Sequence, residues 1–302
     1  MAKSFSIKSS KSDRVFDWVN YLLMFLLMIV MIYPFWNTII ISFNDALDGI
    51  KGNIYLWPRK FTLYNYQNLL QTNRLIDAFF ISVSKTLLVT LLNVFFSSLT
   101  AYILSRKDFL LKKFMTIFLV ATMYINAGLI PNYFNIRDLG LVNNYLVYIL
   151  PSMLGVFNVI VIRTFINGLP DSFAESARID GAGEFRIFIQ IIVPLCKPVL
   201  ATVALWVAVG VWNEWFDTYI YASSKQHLST LPYEMMKLLS SSMAQTGQID
   251  PNIASQGGGA ATVTPNAIRA AITVIASAPI IMIYPFLQKY FVAGLYVGGV
   301  KG

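Results

Sequence analysis

Two groups of residues stand out for the chemistry their types and spacing could support. The first is Trp212-Asn213-Glu214, with Asp217 just beyond, set in an otherwise apolar stretch. Two carboxylates beside an amide can accept hydrogen bonds from a polyhydroxylated ligand, and the faces of Trp212, Trp215 and Tyr219 suit ring stacking. The same residues can form a structural hydrogen-bond network near the outer end of the span, which is the favoured reading. The second group is the segment NGLPDSFAESARIDGAGEFRIFIQIIVPLCKP, residues 167–198, which alternates acidic and basic side chains around Gly181 and Gly183. Neither group holds a nucleophile next to a base. The single cysteine, Cys196, and single histidine, His227, form neither a disulfide nor a Cys/His metal cluster within one chain. No G-x-x-x-x-G-K-[ST] run is present to cradle a nucleotide phosphate. Gly181-Ala182-Gly183 follows no strand, so it is not a dinucleotide site.

The elements that hold these groups follow from composition. Hydrophobic residues make up 56% of the 302-residue chain and charged residues 13%, against about 25% charged in an ordinary soluble domain. Lipid is the natural solvent for such a surface. A net charge of +8 would suit nucleic acid only if the basic residues clustered on one soluble face. They sit instead in short blocks between apolar runs, as topology signals do, so nucleic acid is not expected as a partner. A bilayer-crossing helix needs about 20 mostly apolar residues, and six such runs are found: residues 18–42, 79–104, 113–132, 141–165, 198–221 and 267–291. The first is too long for a cleaved signal peptide and is followed by no small-residue cleavage pattern. Blocks such as Lys3, Lys8, Lys11 and Arg14, and Arg106, Lys107, Lys112 and Lys113, fall on one side, which places both termini in the cytoplasm. The expected fold is therefore an all-α membrane protein of six transmembrane helices. Its parts are a cytoplasmic tail over 1–17, the transmembrane domain over 18–293 and a cytoplasmic tail over 294–302. The outer loops are 44–77 and 222–265, the latter glycine-rich around Gly257. Asn93 and Asn126 are read as hydrogen-bonding partners between helices.

The inner loop, residues 166–197, has its own local code. Pro170 and Asp171 suit a helix start, and Ser172 with Glu175 has the spacing of a capping box. A short helix through Ala174, Ala177 and Ile179 should break at Gly181 and Gly183. A second should start near Glu184, carry Phe185, Phe188, Ile189 and Ile192 on one apolar side, and end before Pro194. Physically this is either a plain interfacial connection or a built docking element.

At this point the residues resemble a known family. Glu175-Ser176-Ala177, Gly181 and Ile191-Ile192-Val193-Pro194 are similar in kind and spacing to the EAA loop of binding-protein-dependent ABC importer permeases. Ser176 and Val193 depart from the usual alanine and leucine. Trp212-Asn213-Glu214 resembles the W-N-E segment of carbohydrate-type permeases, and KYFVAGLYVGGVKG resembles the family's tail. The likeness is to the maltose-permease G-subunit type, and within it to permeases for alginate and other uronate-containing oligosaccharides.

The resemblance implies a non-catalytic subunit of the bacterial plasma membrane, binding no cofactor itself. Its implied partners are a second permease subunit, two copies of a cytoplasmic ATPase that carry ATP and Mg, and an extracytoplasmic solute-binding protein. The carbohydrate would pass between the two permeases. The loop would be a cytoplasmic coupling helix between helices four and five, docking on the ATPase through Glu175, Ser176, Ala177, Arg178, Asp180 and Gly181. Trp212, Asn213, Glu214 and Asp217 would lie on the translocation pathway. The competing reading is an ion-coupled secondary transporter of a small polar solute, which would need internal repeats or a buried charge relay.

Overall fold

A computed structural model of the chain describes residues 11–70, 73–246 and 264–299. The described residues are helical, with one isolated bridge between Asn44 and Phe61. The α-helices in chain order are α1 (Lys11–Ser42), α2 (Ala46–Ile50), α3 (Tyr64–Leu70), α4 (Asn73–Ser105), α5 (Lys112–Tyr124), α6 (Leu129–Asp138) and α7 (Val156–Ile166). There follow α8 (Ser172–Ile179), α9 (Glu184–Ile187), α10 (Val193–Leu195), α11 (Lys197–Asn213), α12 (Leu231–Thr246) and α13 (Pro265–Gly299).

Three of the six expected spans are single helices long and apolar enough to cross a bilayer: α1, α4 and the first part of α13. The third and fourth are bent within themselves, and the fifth is broken near its end. α5 and α6 meet at 117°, because Ile125 leaves the helix and the Asn126 side chain accepts the Gly128 N–H at 2.9 Å instead of reaching another helix. Residues 145–152 are two 3-10 turns around Pro151, bent 41° from α7. α11 stops at Asn213, where Glu214 becomes extended, and a π turn over Thr218–Ala222 follows. By contrast Pro279 and Pro285 do not end α13, and Pro34 stays within α1, where Thr38 Oγ1 donates to the Pro34 carbonyl at 2.8 Å. The expected glycine-rich stretch around Gly257 lies outside the described residues, and α12 occupies part of that loop.

The chain forms two compact units, residues 1–71 with 241–275 and residues 72–240 with 276–302. In the first, the large apolar side chains of α1 from Val15 to Ile32 are at least 45% exposed. A helix apolar all round fits hydrocarbon or a neighbouring protein, not water. Beyond it the loop is tied by polar side chains as well as by the ring contacts of Phe43 with Phe61 and Tyr66. The buried Asn65 Nδ2 donates to the Ser42 and Asn44 carbonyls, both at 2.9 Å. Arg59 donates Nε to Asp48 Oδ2 at 3.0 Å and Nη2 to the Asp48 and Gly52 carbonyls at 2.9 Å. Burial alone would raise the Asp48 carboxyl, but hydrogen bonds from Asn44 and Arg59 and the Arg59 charge outweigh it and hold it below the usual carboxylate range. A depressed carboxyl contributes stability that is present above its unfolded value and lost as pH falls through the folded one. Arg59→Ala should cost about 1–3 kcal/mol and move the acid loss of protection at the loop amides to higher pH. Hydrogen exchange on residues 46–60 between pH 3 and 6 reads this directly, and an unshifted profile would mean that Arg59 does not hold Asp48.

In the second unit α4 packs on α7 and α11. The core is Ala101, Tyr102, Val159, Ile162, Ile187, Phe188, Ile192, Cys196 and Val203. Asn93 does link helices: its Nδ2 donates to the Ser152 carbonyl at 2.7 Å and its Oδ1 accepts from Asn158 Nδ2 at 2.8 Å. A Cβ at Gly155 would lie 2.5 Å from Asn158 Nδ2, so a larger residue there would push Asn158 away from Asn93. A second apolar cluster joins Ile136, Leu141, Val147, Tyr148, Ala222 and Leu228.

Candidate functional site

The loop between α7 and α11 folds into the expected helix, turn and second helix, with different local chemistry. α8 begins after Asp171, but no side chain caps it. The Ser172–Glu175 capping box is absent, because the N-cap falls on Asp171, whose carboxylate accepts from Lys107 Nζ at 2.5 Å. The hydrogen bond and charge of that carboxylate raise the pKa of the Lys107 ammonium. At its other end α8 closes in a Schellman motif. The Gly181 N–H donates to the Arg178 carbonyl and the Ala182 N–H to the Ala177 carbonyl, both at 2.9 Å, with Gly181 left-handed at φ 78°. Gly183 is extended and starts α9, so only the first glycine makes the turn.

Past α9 the chain widens into a π turn over Phe188–Ile192 and passes Pro194 into α10. The sequence pattern suggested a stop before Pro194. The wider turn accommodates a residue that lacks an N–H and crowds the preceding carbonyl. It also rotates the apolar side: Ile187, Phe188 and Ile192 are buried, whereas Phe185 and Ile189 are exposed. Residues 184–195 then meet α11 at 82°.

The polar residues converge on one acid that the sequence marked only as a helix start. Glu184 Oε2 accepts from Tyr102 OH at 2.5 Å, and Oε1 accepts from Arg178 Nε at 2.8 Å and lies 3.4 Å from Arg106 Nη2. Arg178 is thus turned onto its own chain, with its Nη2 buried and unbonded. Ala174, Ala177 and Ala182 also face this chain's core. Small residues at this joint let α8 lie close on the core. The exposed residues of α8 and its turn include Ser172, Phe173, Glu175, Ser176, Ile179, Asp180 and Gly181, with Ile179 at 87%. An open cavity of about 690 Å³ beside them is lined by Arg106, Lys107, Asp171, Glu175, Arg178 and Glu184 among others.

The second group lies where α11 ends. Trp212 is buried, donates Nε1 to the Ala276 carbonyl at 3.1 Å and stands edge-on to Phe79. Asn213 Nδ2 donates back to the Val209 carbonyl at 2.8 Å, and Glu214 Oε1 accepts the Phe216 N–H at 2.8 Å. These three side chains are therefore engaged within the chain. The structure adds Lys85 of α4, 3% exposed, which the sequence reading passed over. Its Nζ donates to the Glu214 carbonyl at 3.3 Å, lies 4.8 Å from the centre of the Tyr148 ring and feels the charges of Asp217 and Glu214. A lone lysine inside an apolar run was a visible signal, because such a residue is buried only against a partner. Tyr148 OH donates onward to the Leu228 carbonyl at 2.8 Å, and Thr218 pairs with Thr230 at 2.8 Å. Trp215, Phe216, Tyr219 and Tyr233 form a chain of ring contacts beside this network.

Comparison with known proteins gives the chain as a whole a family. The chain is 33% identical to the protein LplC of Bacillus subtilis (strain 168), with 100% of each covered. It is 30% identical to the polygalacturonan/rhamnogalacturonan transport system permease protein YtcP of the same organism, covering 96% of this chain and 99% of that one. Among solved structures it is similar to a chain of a bacterial ABC transporter involved in the import of the acidic polysaccharide alginate. The TM-score there is 0.82 at 26% identity, over 95% of this chain and 100% of the other. The sequence also matches, over residues 8–296, the family of the binding-protein-dependent transport system inner membrane component, and the chain belongs to that family.

Proposed function

We propose that this chain is a permease subunit of an ATP-driven importer that carries a carbohydrate, most specifically an acidic oligosaccharide, across a bacterial plasma membrane. The observation that carries the reading is α8. It is a short helix closed by a Schellman turn and pinned from behind by Glu184, with Phe173 and Ile179 left exposed on its free side. Apolar side chains presented on a rigid polar loop suit a protein partner. In support, the family is described as the inner membrane component of a binding-protein-dependent transport system, and relatives are described as a polygalacturonan/rhamnogalacturonan transport permease and a transporter involved in alginate import, both polymers being acidic.

In this reading the chain crosses the bilayer six times, two of the spans being the bent α5–α6 and 145–152–α7 pairs, with both termini cytoplasmic. α8 is the coupling helix and docks in a cleft of one of two ATPase subunits, which hold ATP and Mg. Its contacts are made by Phe173, Glu175, Ser176, Ile179 and Asp180. Arg178 and Ala177 transmit the contact to the core through Glu184 and the Ile187–Ile192 segment, and Gly181 sets the angle of the joint. Closure of the ATPases then moves the helices as rigid bodies and switches the pathway between its two openings. A second permease completes the pathway, against which the exposed flank of α1 can pack, and a solute-binding protein delivers the sugar outside. The Glu214–Asp217 segment, balanced by Lys85, is a structural junction near the outer end of that pathway.

The test is affinity purification of the tagged chain from its own membranes in mild detergent, followed by an ATPase assay. Recovery of an ATPase and a second permease, with ATP hydrolysis stimulated by the loaded binding protein, is the expected result. A chain that purifies alone without ATP hydrolysis would point instead to a secondary transporter.

A further inference from the structure

The first unit contains a cavity that neither polar group described above uses. It measures about 370 Å³, within the roughly 300–1,000 Å³ of small-molecule sites. One wall is the end of α1 with the following loop, including Asn44, Asp45 and Asn53; the other is the start of α13, including Asn266 and Arg269. Asn266, Arg269, Ala270 and Thr273 all line it, as expected for positions that recur on one helical face. Arg269 makes no side-chain hydrogen bond or ion pair among the described residues. The remaining charged group, Asp45, is occupied at Oδ1 by the Asp48 N–H at 2.9 Å.

The opposite rim is held in place. Arg59 ties the Gly52 carbonyl at 2.9 Å and Asn37 Nδ2 ties the Ile54 carbonyl at 2.8 Å. Between them Asn53 is left-handed at φ 58°, a conformation unusual for a residue with a side chain and often retained at binding sites. Its Oδ1 accepts from Tyr55 OH at 3.0 Å, which leaves Nδ2 free to donate. The cavity therefore presents an unpaired guanidinium and amide donors from a braced rim. A guanidinium fork matches a carboxylate in two parallel hydrogen bonds, and amides suit the hydroxyls of a sugar ring.

We propose that this cavity is a binding subsite for one carboxylated sugar unit, with Arg269 holding the carboxylate and Asn53 and Asn266 the ring hydroxyls. The proposal rests on the reading of the chain as a carbohydrate permease whose 44–77 loop faces outward. It gives that reading a residue that discriminates charged from neutral sugar.

The experiment uses the intact transport complex in nanodiscs, titrated by calorimetry with trigalacturonate and with its neutral methyl ester. The wild type should bind trigalacturonate more tightly. Arg269→Gln should weaken that binding about ten- to hundredfold, bringing it level with the ester, whose own affinity is unchanged; Arg269→Lys should fall between. Arg269 is exposed, so the variants should assemble normally, and a melting curve with subunit recovery checks this. Unchanged trigalacturonate binding in an assembled Arg269→Gln complex overturns the subsite, as does an equal loss for both ligands. Uptake measured in parallel separates the two failures: the subsite alone falls if trigalacturonate is still transported, whereas a wild type that carries only neutral sugars overturns the acidic-substrate reading as well.

Discussion

Gly181→Val is expected to lower carbohydrate uptake by at least about tenfold, the scale of a typical coupling free energy, while the complex still assembles. The reason is conformational. Gly181 sits at φ 78°, and no atom lies within 4 Å of where a Cβ would be, so a side chain meets no clash but is forced into a region that β-branched residues avoid. The strain is about 1–2 kcal/mol or more. It is relieved by opening the Schellman turn, which frees the Ala177 and Arg178 carbonyls and re-aims the end of α8 relative to the Glu184 anchor. A graded series sharpens the test. Asn enters the left-handed region most readily, so Gly181→Asn should retain most transport. Gly181→Asp should be intermediate, with the added charge beside Asp180 working against it, and Gly181→Val should be lowest. Uptake in proteoliposomes, with ATPase activity measured on the same preparations, reads the ranking. Uptake that ignores this order would show that the turn does not set the joint.

Lys85→Met should destabilise the second unit by about 3 kcal/mol, the scale of leaving a buried charge without its partner. Lys85 is 3% exposed and its ammonium serves two purposes at once. It bonds the carbonyl of Glu214, where α11 has just ended and its orphan carbonyls collect negative partial charge. It also opposes the Asp217 and Glu214 carboxylates. Methionine keeps the volume and removes the charge. If charge balance is the reason for the lysine, Lys85→Met with Asp217→Asn should melt above Lys85→Met alone. A double variant no more stable than the single one would locate the role of Lys85 in the carbonyl bond. The melting temperature of the purified complex decides between them, with uptake as the second readout.

Much of this organisation was legible in the sequence because it depends on solvent and local geometry. Apolar runs of bilayer length identify α1, α4 and α13 whatever their neighbours are, since hydrocarbon contact is decided residue by residue. Gly181 announced the turn after α8 because left-handed backbone is a local requirement. The fixed spacing from Glu175 to Pro194 carried the family, which the comparisons bear out.

What stayed hidden depends on partners distant in the chain. The break at Asn126 is held by a local bond to the Gly128 N–H, whereas at Glu214 the carbonyl is met by Lys85 from α4, far away in the chain. The Ser172–Glu175 capping box was a valid local option that the fold does not use: the capping position falls one residue earlier, on Asp171, whose carboxylate pairs with Lys107 from another loop. Glu184 reads as an ordinary first-turn acid until Tyr102, Arg106 and Arg178 close on it. Ala177 looks like a docking residue until its inward face is seen. The sequence by itself determined the membrane solvent, the helical class and the place of the α8 loop, because these follow from hydropathy and local backbone preference. Only the tertiary structure decided which polar groups meet, because a buried charge or amide is satisfied by whichever partner the packing of other helices brings within about 3 Å.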